Sequence, residues 1–538
     1  MNLRHLAVGL STSLVVSTLV GAPAHAESDT DTAPRDAAVG WLINQLDGGL
    51  LPSSYGGAAY GPSADAVISL AEIGNSTDAA AIAGALATDI DDYVTGEAYG
   101  DTGSLYSGSA AKATVALVAA GLDPGQVGDD ARDLLGDVRA SIQQSGRIQD
   151  TSLYGDYANT FGQAFAVQAL TTAGSPEAPA ATDFLVSQQC DPGWLRLYFT
   201  ATAVYPDPQA QDDTSCDADP SSGPSVDSTA LAVMALAPSV KAGTATPATA
   251  RALGRAESWL LSVQQADGGW ADGTTDATAN TNSTGLAGRA MIATDHLGAA
   301  RRAAVWVRSQ QIHNVGECTP FDAADIGALG YDRTAWRNAR STPVGDSNDQ
   351  FIQAAVQALP VLEVLEAADS APTISGPAHY VKDGAKVTYN VSGLAPGRPV
   401  CVSVPGSAAL RVADADGAAS VRVRMPAATG TVVATVEDES ANTATAATEV
   451  LGGVELALKA PAEARIGSNV TVKVTGLAAG EEISLQYRAK RVSSGTATTK
   501  GVFTAKVAVK GPQGKAAITA TGQFADRSGS RTLRVLPK

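Results

Sequence analysis

A helical repeat that stops near residue 370 is the feature that most constrains the fold of this chain. Ala-rich apolar segments followed by glycine recur before that point, for example residues 115–117 before Gly121 and residues 167–170 before Gly174. After residue 371, short segments such as 387–391 alternate apolar and polar side chains. Apolar residues at three- and four-residue spacing predict helices, whereas strict alternation predicts strands. The sequence therefore predicts a helical part followed by a β part, with the boundary near Ala371.

A second type of helix alternates with the Ala-rich helices. Its copies carry an aromatic or apolar pair, then glutamine, then a Gly-rich turn or the start of a loop, as in residues 41–49, 184–194, 259–270 and 306–310. A helix pair cannot bury its apolar face alone, so six successive pairs are expected to stack, and six can close into a ring. Polar residues near the start of the Ala-rich helices are the predicted N-caps: Asp65, Ser109, Asn159, Asp227, Asn282 and Asn348.

One copy of the second helix type resembles a known motif. Arg255, Trp259, Gln264, Gly268 and Trp270 are similar to the QW motif of triterpene cyclases. Together with the six helix pairs, this motif makes residues 35–370 resemble the α6/α6 toroids of the prenyltransferase and squalene-cyclase repeat superfamily. The resemblance implies that the glutamines meet backbone groups and tie the outer helices together, so it predicts a fold rather than a chemistry.

The β part also repeats. Residues 386–397 match residues 469–480 at a shift of 83 residues. Two modules of that size with many short strands resemble tandem immunoglobulin-like sandwiches, over residues 371–452 and 453–538. The predicted fold class is therefore an all-α α6/α6 toroid followed by two all-β immunoglobulin-like sandwiches.

The first residues are typical of a secretory signal peptide. Arg4 precedes an apolar run over residues 6–20, and Ala24, His25 and Ala26 form a small-residue cleavage site. We expect residues 1–26 to be removed, residues 27–34 to form a short linker, and the protein to be secreted, with association to a cell wall left open. No later segment has the ~20 uninterrupted apolar residues of a membrane span.

Secretion allows the four cysteines to pair. Cys190 and Cys216 bracket much of one insertion, and we favour a disulfide between them. Cys318 and Cys401 lie in different modules, where they either bridge the boundary or remain buried thiols.

The net charge of −18 argues against nucleic acid as a partner. Charge is unevenly divided, because residues 453–538 contain fourteen Lys or Arg and only five Asp or Glu. A basic C-terminal module could bind an anionic cell-wall polymer, although simple solubility explains the same charge.

A cyclase-like acid is a weak catalytic alternative. Asp89, Ile90, Asp91 and Asp92 spell the DxDD sequence of class II terpene cyclases. The resemblance implies that such an acid must lie in the barrel mouth, at the start of an inner helix. In this chain the motif ends an outer-type helix, so coincidence in an acidic chain is favoured.

No metal or cofactor site is predicted. His296, His313 and Cys318 do not cluster as zinc ligands, and neither an internal thioester sequence nor a G-x-S-x-G motif is present. An acidic loop provides weak calcium candidates, with a solvated loop as the favoured alternative: Asp212, Asp213, Asp217 and Asp219.

Aromatic and polar residues are predicted to gather on the rim of the ring. The candidate ligand-binding residues are Tyr60, Asp65, Tyr106, Tyr157, Asn159, Trp194, Asp227, Trp270, Asn282 and Asn348. The leading hypothesis is a secreted non-catalytic protein that binds a small molecule, glycan or peptide, with the two sandwiches as spacers or attachment modules. The alternatives are a terpene cyclase or prenyltransferase type of enzyme, a rim-carboxylate hydrolase, and a purely structural cell-surface protein.

Overall fold

The computed structural model describes residues 30–128, 131–199, 215–217, 223–273, 278–345, 348–367 and 371–538. The predicted signal peptide lies outside these residues. Helices occupy the described chain up to Val364, and strands follow from Thr373 onward, so the predicted division into a helical part and a β part is confirmed. Within the described ranges, no helix combines the length and apolar character that a membrane span requires.

The described residues form fourteen α-helices and three short 3-10 helices. The α-helices are α1 Ala33–Asn44, α2 Tyr60–Glu72, α3 Ser76–Thr88, α4 Ile90–Val94, α5 Ser107–Ala119, α6 Leu134–Ser141, α7 Thr160–Thr172, α8 Ala178–Ser187, α9 Val226–Lys241, α10 Pro247–Val263, α11 Thr281–Ala293, α12 Leu297–Ser309, α13 Arg333–Asn338 and α14 Asp349–Ala358. The 3-10 helices are Glu97–Tyr99, Ala323–Asp325 and Leu359–Val364.

Six helices contact one another in a cycle. Within the described chain, α2 contacts α5, and the contacts continue through α7, α9, α11 and α14 back to α2. We call these the inner helices. α9 and α11 each bury residues on nearly every side, as expected for helices without a solvent face. Small residues allow this closeness: a Cβ atom added to Gly285 of α11 would lie 2.6 Å from the Cα atom of Ala358.

A second layer of helices surrounds the inner helices. α3, α6, α8, α10 and α12 each contact the inner helix that precedes them, and α1 contacts α14. We call these six the outer helices. α3 buries only Ala79, Ile82, Ala83 and Leu86, which form one stripe at helical spacing.

Glutamine side chains connect successive outer helices. The amide of Gln189, after α8, donates to the carbonyl of Ala252 in α10 at 2.9 Å. Gln264, after α10, donates to Ala299 in α12 at 3.0 Å. Gln311, after α12, donates to Pro34 in α1 at 2.8 Å. The predicted role of the motif glutamines is therefore seen, but in the last copy Gln311 has this role instead of the expected Gln310.

Four of the predicted N-caps are wrong, namely Asp65, Ser109, Asp227 and Asn282. Each lies inside a helix that begins earlier than the apolar periodicity indicates. The side chains of Ser225 and Asn280 cap α9 and α11 instead, whereas Asn159 and Asn348 cap α7 and α14 as predicted. The first turns of α9 and α11 are polar because their buried hydroxyl groups accept hydrogen bonds from the preceding loops, Thr229 from Leu195 and Thr284 from Trp270, so an apolar pattern cannot mark their start.

The β part contains seventeen strands. They are β1 Thr373–Ser375, β2 Val381–Lys382, β3 Lys386–Ser392, β4 Pro399–Val404, β5 Ser407–Val412, β6 Ala419–Arg424, β7 Gly430–Asp438, β8 Thr443–Leu451, β9 Val454–Glu455, β10 Ala457–Lys459, β11 Glu463–Arg465, β12 Asn469–Thr475, β13 Glu482–Tyr487, β14 Lys490–Thr496, β15 Val502–Ala508, β16 Gly514–Thr521 and β17 Arg527–Leu536.

The strands form two units, each with two sheets. The first unit pairs the sheet β1-β3-β6 with the sheet β2-β8-β7-β4-β5. The second pairs β10-β12-β15 with β11-β17-β16-β13-β14, and β9 joins β17. In each unit, inward side chains from both sheets form a single buried cluster. The strands β3 and β12 start 83 residues apart, in agreement with the sequence repeat.

The first β unit is attached to the helical part by covalent and ionic links. Cys318 and Cys401 form a disulfide with a Cα–Cα distance of 5.7 Å, which resolves the alternative that the sequence left open. Glu439 of the β unit forms ion pairs with Arg308 and Arg398. Cys401 also belongs to the buried cluster of the helical part, so the two parts share a packed interface.

Candidate functional site

A cavity lies at the centre of the inner helices. Its volume is about 280 Å³, and each inner helix contributes at least one side chain to its lining. Those central side chains are Asp65, Lys112, Phe165, Leu231, Leu286 and Gln357. Tyr106, Tyr157 and Asn159, near the start of α5 and α7, extend the lining toward the mouth of the ring. We call this the mouth cavity.

A partly buried ion pair between the neighbouring helices α2 and α5 lines the mouth cavity. The Lys112 Nζ atom lies 2.8 Å from Asp65 Oδ2 and donates to the Gly61 carbonyl at 3.3 Å. It also lies 5.5 Å from the ring centroid of Phe165. Burial alone would lower the pKa of Lys112, but the Asp65 carboxylate and Tyr93 outweigh it, so the pKa is raised. The cavity therefore contains a fixed positive charge beside a fixed negative one.

Gln357 of α14 is one of the polar residues that line the mouth cavity. Its Oε1 atom is buried and has no hydrogen-bond partner among the described residues. A buried amide oxygen without a partner costs about 1–3 kcal/mol. Because this oxygen has almost no accessible surface, the Gln357 side chain would have to turn before a ligand donor could reach it.

The rim of the mouth cavity is held in place by hydrogen bonds to one carboxylate. Asp150 accepts from the Ser107 backbone at 2.8 Å, from the Ser107 hydroxyl at 2.6 Å and from the Tyr157 backbone at 3.2 Å. Burial raises the pKa of Asp150 even though the hydrogen bonds from Ser107 oppose it. The loop that carries Tyr157 is thus tied to the start of α5, and Tyr157 remains 45 % exposed.

A second cavity continues further along the same helices. Its volume is about 440 Å³, and it shares Asp65, Phe165, Leu231 and Leu286 with the mouth cavity. These shared side chains separate the two spaces. Beyond them, Arg289 of α11 donates to both carboxylate oxygens of Glu72 in α2, at 2.9 and 2.7 Å. The interior of the ring is therefore not completely filled.

Four of the ten predicted ligand-binding residues line the mouth cavity together: Asp65, Tyr106, Tyr157 and Asn159. Asn159 also caps α7, where its Oδ1 atom accepts from Phe161 and Gly162. Tyr60 lies outside the cavity lining and stacks on Tyr93 with ring centroids 6.0 Å apart.

The two predicted tryptophans are packing residues. Trp270 is fully buried, and its Nε1 atom donates to the Leu260 carbonyl at 2.8 Å. Trp194 is 9 % exposed and belongs to the buried cluster of the helical part. Because both follow Gly-rich turns, the sequence predicts that these tryptophans lie on the rim of the ring. The turns instead pack closely against the next outer helix, since a Cβ atom on Gly268 would lie 2.4 Å from the Arg302 carbonyl oxygen.

The residues of the DxDD sequence line neither cavity. Asp89 follows the outer helix α3, and Asp91 pairs with Arg132 at 2.7 Å. Asp92 accepts from the Tyr60 hydroxyl at 3.4 Å. Burial, together with Asp92, raises the pKa of Tyr60 to about 12.

The structure describes one of the four calcium candidates. Asp212, Asp213 and Asp219 lie outside the described residues, whereas Asp217 accepts from the Asp191 backbone at 3.1 Å. The described part of the chain contains no group of three His, Cys, Asp or Glu side chains placed to hold a metal. The neighbouring cysteines, Cys190 and Cys216, form the favoured disulfide, with a Cα–Cα distance of 4.9 Å.

Asp227 lies beside a second carboxylate at the start of α9. Asp272 accepts from the Ser225 hydroxyl at 3.1 Å and from the Val226 backbone at 3.0 Å. The Asp227 Oδ1 atom is buried without a hydrogen-bond partner among the described residues. Burial, and then the charge of Asp272, raise the pKa of Asp227 to about 7, against a lowering by Ser283. The carboxyl group is therefore partly protonated near neutral pH.

Sequence reasoning missed Lys112 and Gln357. A signal existed for Gln357, because residues 355–359 repeat the sequence of residues 166–170, and the third residue of each copy lines a cavity. Lys112 has no comparable signal, since a lysine in an Ala-rich helix is as easily explained by solvent.

Comparison with known proteins finds solved structures that this chain resembles in part. No family model and no curated protein matches the chain. The apo structure of the type II terpene cyclase MstE from Scytonema is 16 % identical with a TM-score of 0.40, covering 61 % of this chain and 96 % of that one. The adhesin InvE from Yersinia pseudotuberculosis is 13 % identical with a TM-score of 0.17, covering 30 % of this chain and 58 % of that one. Fibronectin(III)-like modules of Clostridium thermocellum CbhA are 12 % identical with a TM-score of 0.18, covering 31 % and 94 %.

Proposed function

We propose that this chain is a secreted, non-catalytic protein that binds a small polar ligand in the mouth cavity. In this proposal the helical part is an α6/α6 toroid of the prenyltransferase and squalene-cyclase repeat type, and the two β units are immunoglobulin-like sandwiches that act as spacer or attachment modules. The observation that carries the proposal is the convergence of all six inner helices on one cavity that holds polar groups. The two disulfides are compatible with secretion.

The dimensions and the lining favour a small ligand with hydrogen-bonding groups. Typical ligand pockets measure about 300–1,000 Å³, and the mouth cavity, at about 280 Å³, lies just below that range. It accommodates a single sugar unit or amino-acid side chain, either free or at the end of a longer glycan or peptide. Gln357 offers its amide group, Lys112 meets an acceptor, and Tyr106 and Tyr157 supply aromatic surfaces at the rim.

The carboxylates of the mouth cavity support binding rather than hydrolysis. Glycoside hydrolysis uses two carboxyl groups that are free to act as acid and base or nucleophile. Asp65 is held by Lys112, and Asp150 accepts three hydrogen bonds from the chain itself. The two cavities also argue against a ring that serves only as a support for the sandwiches, since that role predicts a filled centre.

The proposal is tested by removing the Gln357 amide from the cavity lining. Ligand-induced changes in melting temperature are measured with panels of monosaccharides, short glycans and peptides, first on the unaltered protein and then on Gln357→Leu. We expect Gln357→Leu to abolish or strongly reduce the shift. Gln168→Leu is the matched control, because Gln168 has the same sequence neighbours and lines the second cavity but not the mouth cavity. A ligand that stabilises both variants equally, or no shift across the panels, contradicts the proposal.

A further inference from the structure

The outward faces of the two three-stranded sheets carry basic side chains and no acidic ones. One face belongs to β1, β3 and β6, the other to β10, β12 and β15. Their charged members, all exposed, are Lys386, Arg422 and Arg424 in the first β unit and Lys459, Lys473 and Lys506 in the second. Serine, threonine, asparagine and alanine fill most of the other outward positions. We call these two surfaces the basic sheet faces.

Each basic sheet face places like charges directly opposite one another. Lys459 lies opposite Lys473 on the neighbouring strand, and Lys386 lies opposite Arg424. Opposed like charges destabilise a sheet. Among the described residues, the basic members of ion pairs in the β units are Lys382, Arg398 and Arg527. None of these belongs to a basic sheet face, so no ion pair with an acidic side chain offsets the repulsion. The arrangement is unfavourable for folding alone, and an anionic partner would relieve it.

A basic residue beside a threonine recurs at the same place in both units. Arg422 lies opposite Thr388, and Lys506 lies opposite Thr471. The two threonines are equivalent in the sequence repeat, 83 residues apart. A charged nitrogen next to a hydroxyl donor suits an oxyanion such as phosphate.

We propose that the basic sheet faces bind a flexible, single-chain polymer of polyol phosphates. The inference rests on the attachment role proposed for the β units and names the surface and the partner for it. Neighbouring strands lie about 4.8 Å apart, and alternate residues along a strand about 6.7 Å apart, so each face presents a flat array of positive charges. Successive phosphodiester groups of one flexible chain can contact several of these charges at once, whereas separate anions bind one at a time.

The charge of the rest of the chain argues against nucleic acid as the polymer. Residues 453–538 carry a balance of +9, while the remaining residues carry −27. Duplex DNA is stiff, with a persistence length of about 50 nm. A duplex laid across a sheet face would therefore also pass close to acidic surface, whereas a flexible chain can follow the face and avoid it.

The test measures binding of the full chain to immobilised poly(glycerol phosphate) at several salt concentrations. A single-stranded polyanion gives a slope of log K against log salt of about −0.7 per neutralised phosphate. The variant Lys459→Glu, Lys473→Glu, Lys506→Glu is expected to lose at least tenfold in affinity and about 2 units of slope. The corresponding variant of the first β unit, Lys386→Glu, Arg422→Glu, Arg424→Glu, should also bind the polymer more weakly.

The matched control changes the same charge on the other sheet of the second unit. Lys490→Glu, Arg491→Glu and Lys515→Glu lie on β14 and β16 and should keep the affinity within twofold. Circular dichroism checks folding, and the glutamine versions of the face variants replace any glutamate variant that does not fold. The proposal is overturned if the control loses as much affinity as the face variants, or if duplex DNA or hyaluronate, a carboxylate polymer, binds as tightly. Because the small-ligand assay addresses a separate site, failure here leaves the mouth-cavity proposal intact.

Discussion

Asp227 shows how one buried carboxyl group links stability to pH. Its pKa is raised from 3.8 to about 7 in the folded chain, so between these values the folded state binds more protons than the unfolded state. This contribution to the free energy of unfolding is therefore fully present below pH 3.8 and is lost as pH rises toward 7. We expect Asp227→Asn to remove that loss, as measured by urea unfolding at pH 4, 5.5 and 7. Glu97→Gln alters an exposed carboxyl group and should have the same dependence of unfolding free energy on pH as the unaltered chain. If Asp227→Asn also shows that same dependence, Asp227 is not its source.

At the residue scale, the sequence predicts some cavity residues well and others not at all. Tyr106 and Tyr157 stand out because aromatic residues are unusual in polar loops beside Ala-rich helices. Lys112 and Asp65 become a pair only when two repeats are placed side by side, and the period of the repeat does not give the rotation of each helix. Trp270 shows the same limit, since a Gly-rich turn predicts where the chain bends but not whether the next side chain turns inward.

At the scale of elements, the glutamine links decide how firmly the outer helices hold together. Gln311 is buried and donates to Pro34 at 2.8 Å and to Gly327 at 3.0 Å, so it joins the last outer helix to the first. Gln311→Leu leaves those carbonyls with fewer donors and should lower the free energy of unfolding by about 2–3 kcal/mol. Gln45→Leu is the control, since among the described residues Gln45 donates only to Trp41 in its own helix, at 3.4 Å, and should change stability by less than about 0.5 kcal/mol. Equal losses in urea unfolding would contradict a linking role for Gln311.

Most helices and strands were predictable, because burial of one face sets the spacing of apolar residues along each element. Six Ala-rich helices are recognisable in the sequence because their apolar residues recur at helical spacing, and alternation in β3 and β12 marks one buried face. Helix starts were harder, because Ser225 and Asn280 begin helices whose first turns are polar. The last linking glutamine was also expected one residue too early, at Gln310, because only the contact with Pro34 distinguishes Gln311 from Gln310.

At the scale of the whole molecule, His313 makes the junction between the helical part and the first β unit sensitive to acid. Burial, followed by the charges of Arg308 and Arg398, lowers the pKa of His313 from 6.5 to about 4. Glu439, 3.6 Å away, is already engaged by the same two arginines. The folded chain therefore binds fewer protons than the unfolded chain between pH 6.5 and 4, so this contribution to stability is present above pH 6.5 and is lost as pH falls toward 4.

The replacement His313→Gln removes this titration and should flatten the part of the stability profile between pH 6.5 and 4. The direction is opposite to that of Asp227, so the two residues can be told apart in one series of urea unfolding curves. His379→Gln serves as the control, because His379 is exposed on the first β unit and faces no such pair of arginines. The Cys318–Cys401 disulfide holds the two parts together at the junction, so the measured loss reports the packing and charge of the junction and not the movement of one part away from the other. The prediction is contradicted if the stability of His313→Gln falls with acid as steeply as that of His379→Gln. That result would mean that the junction tolerates the charged imidazole, and that Glu439 rather than the two arginines determines how the imidazole titrates.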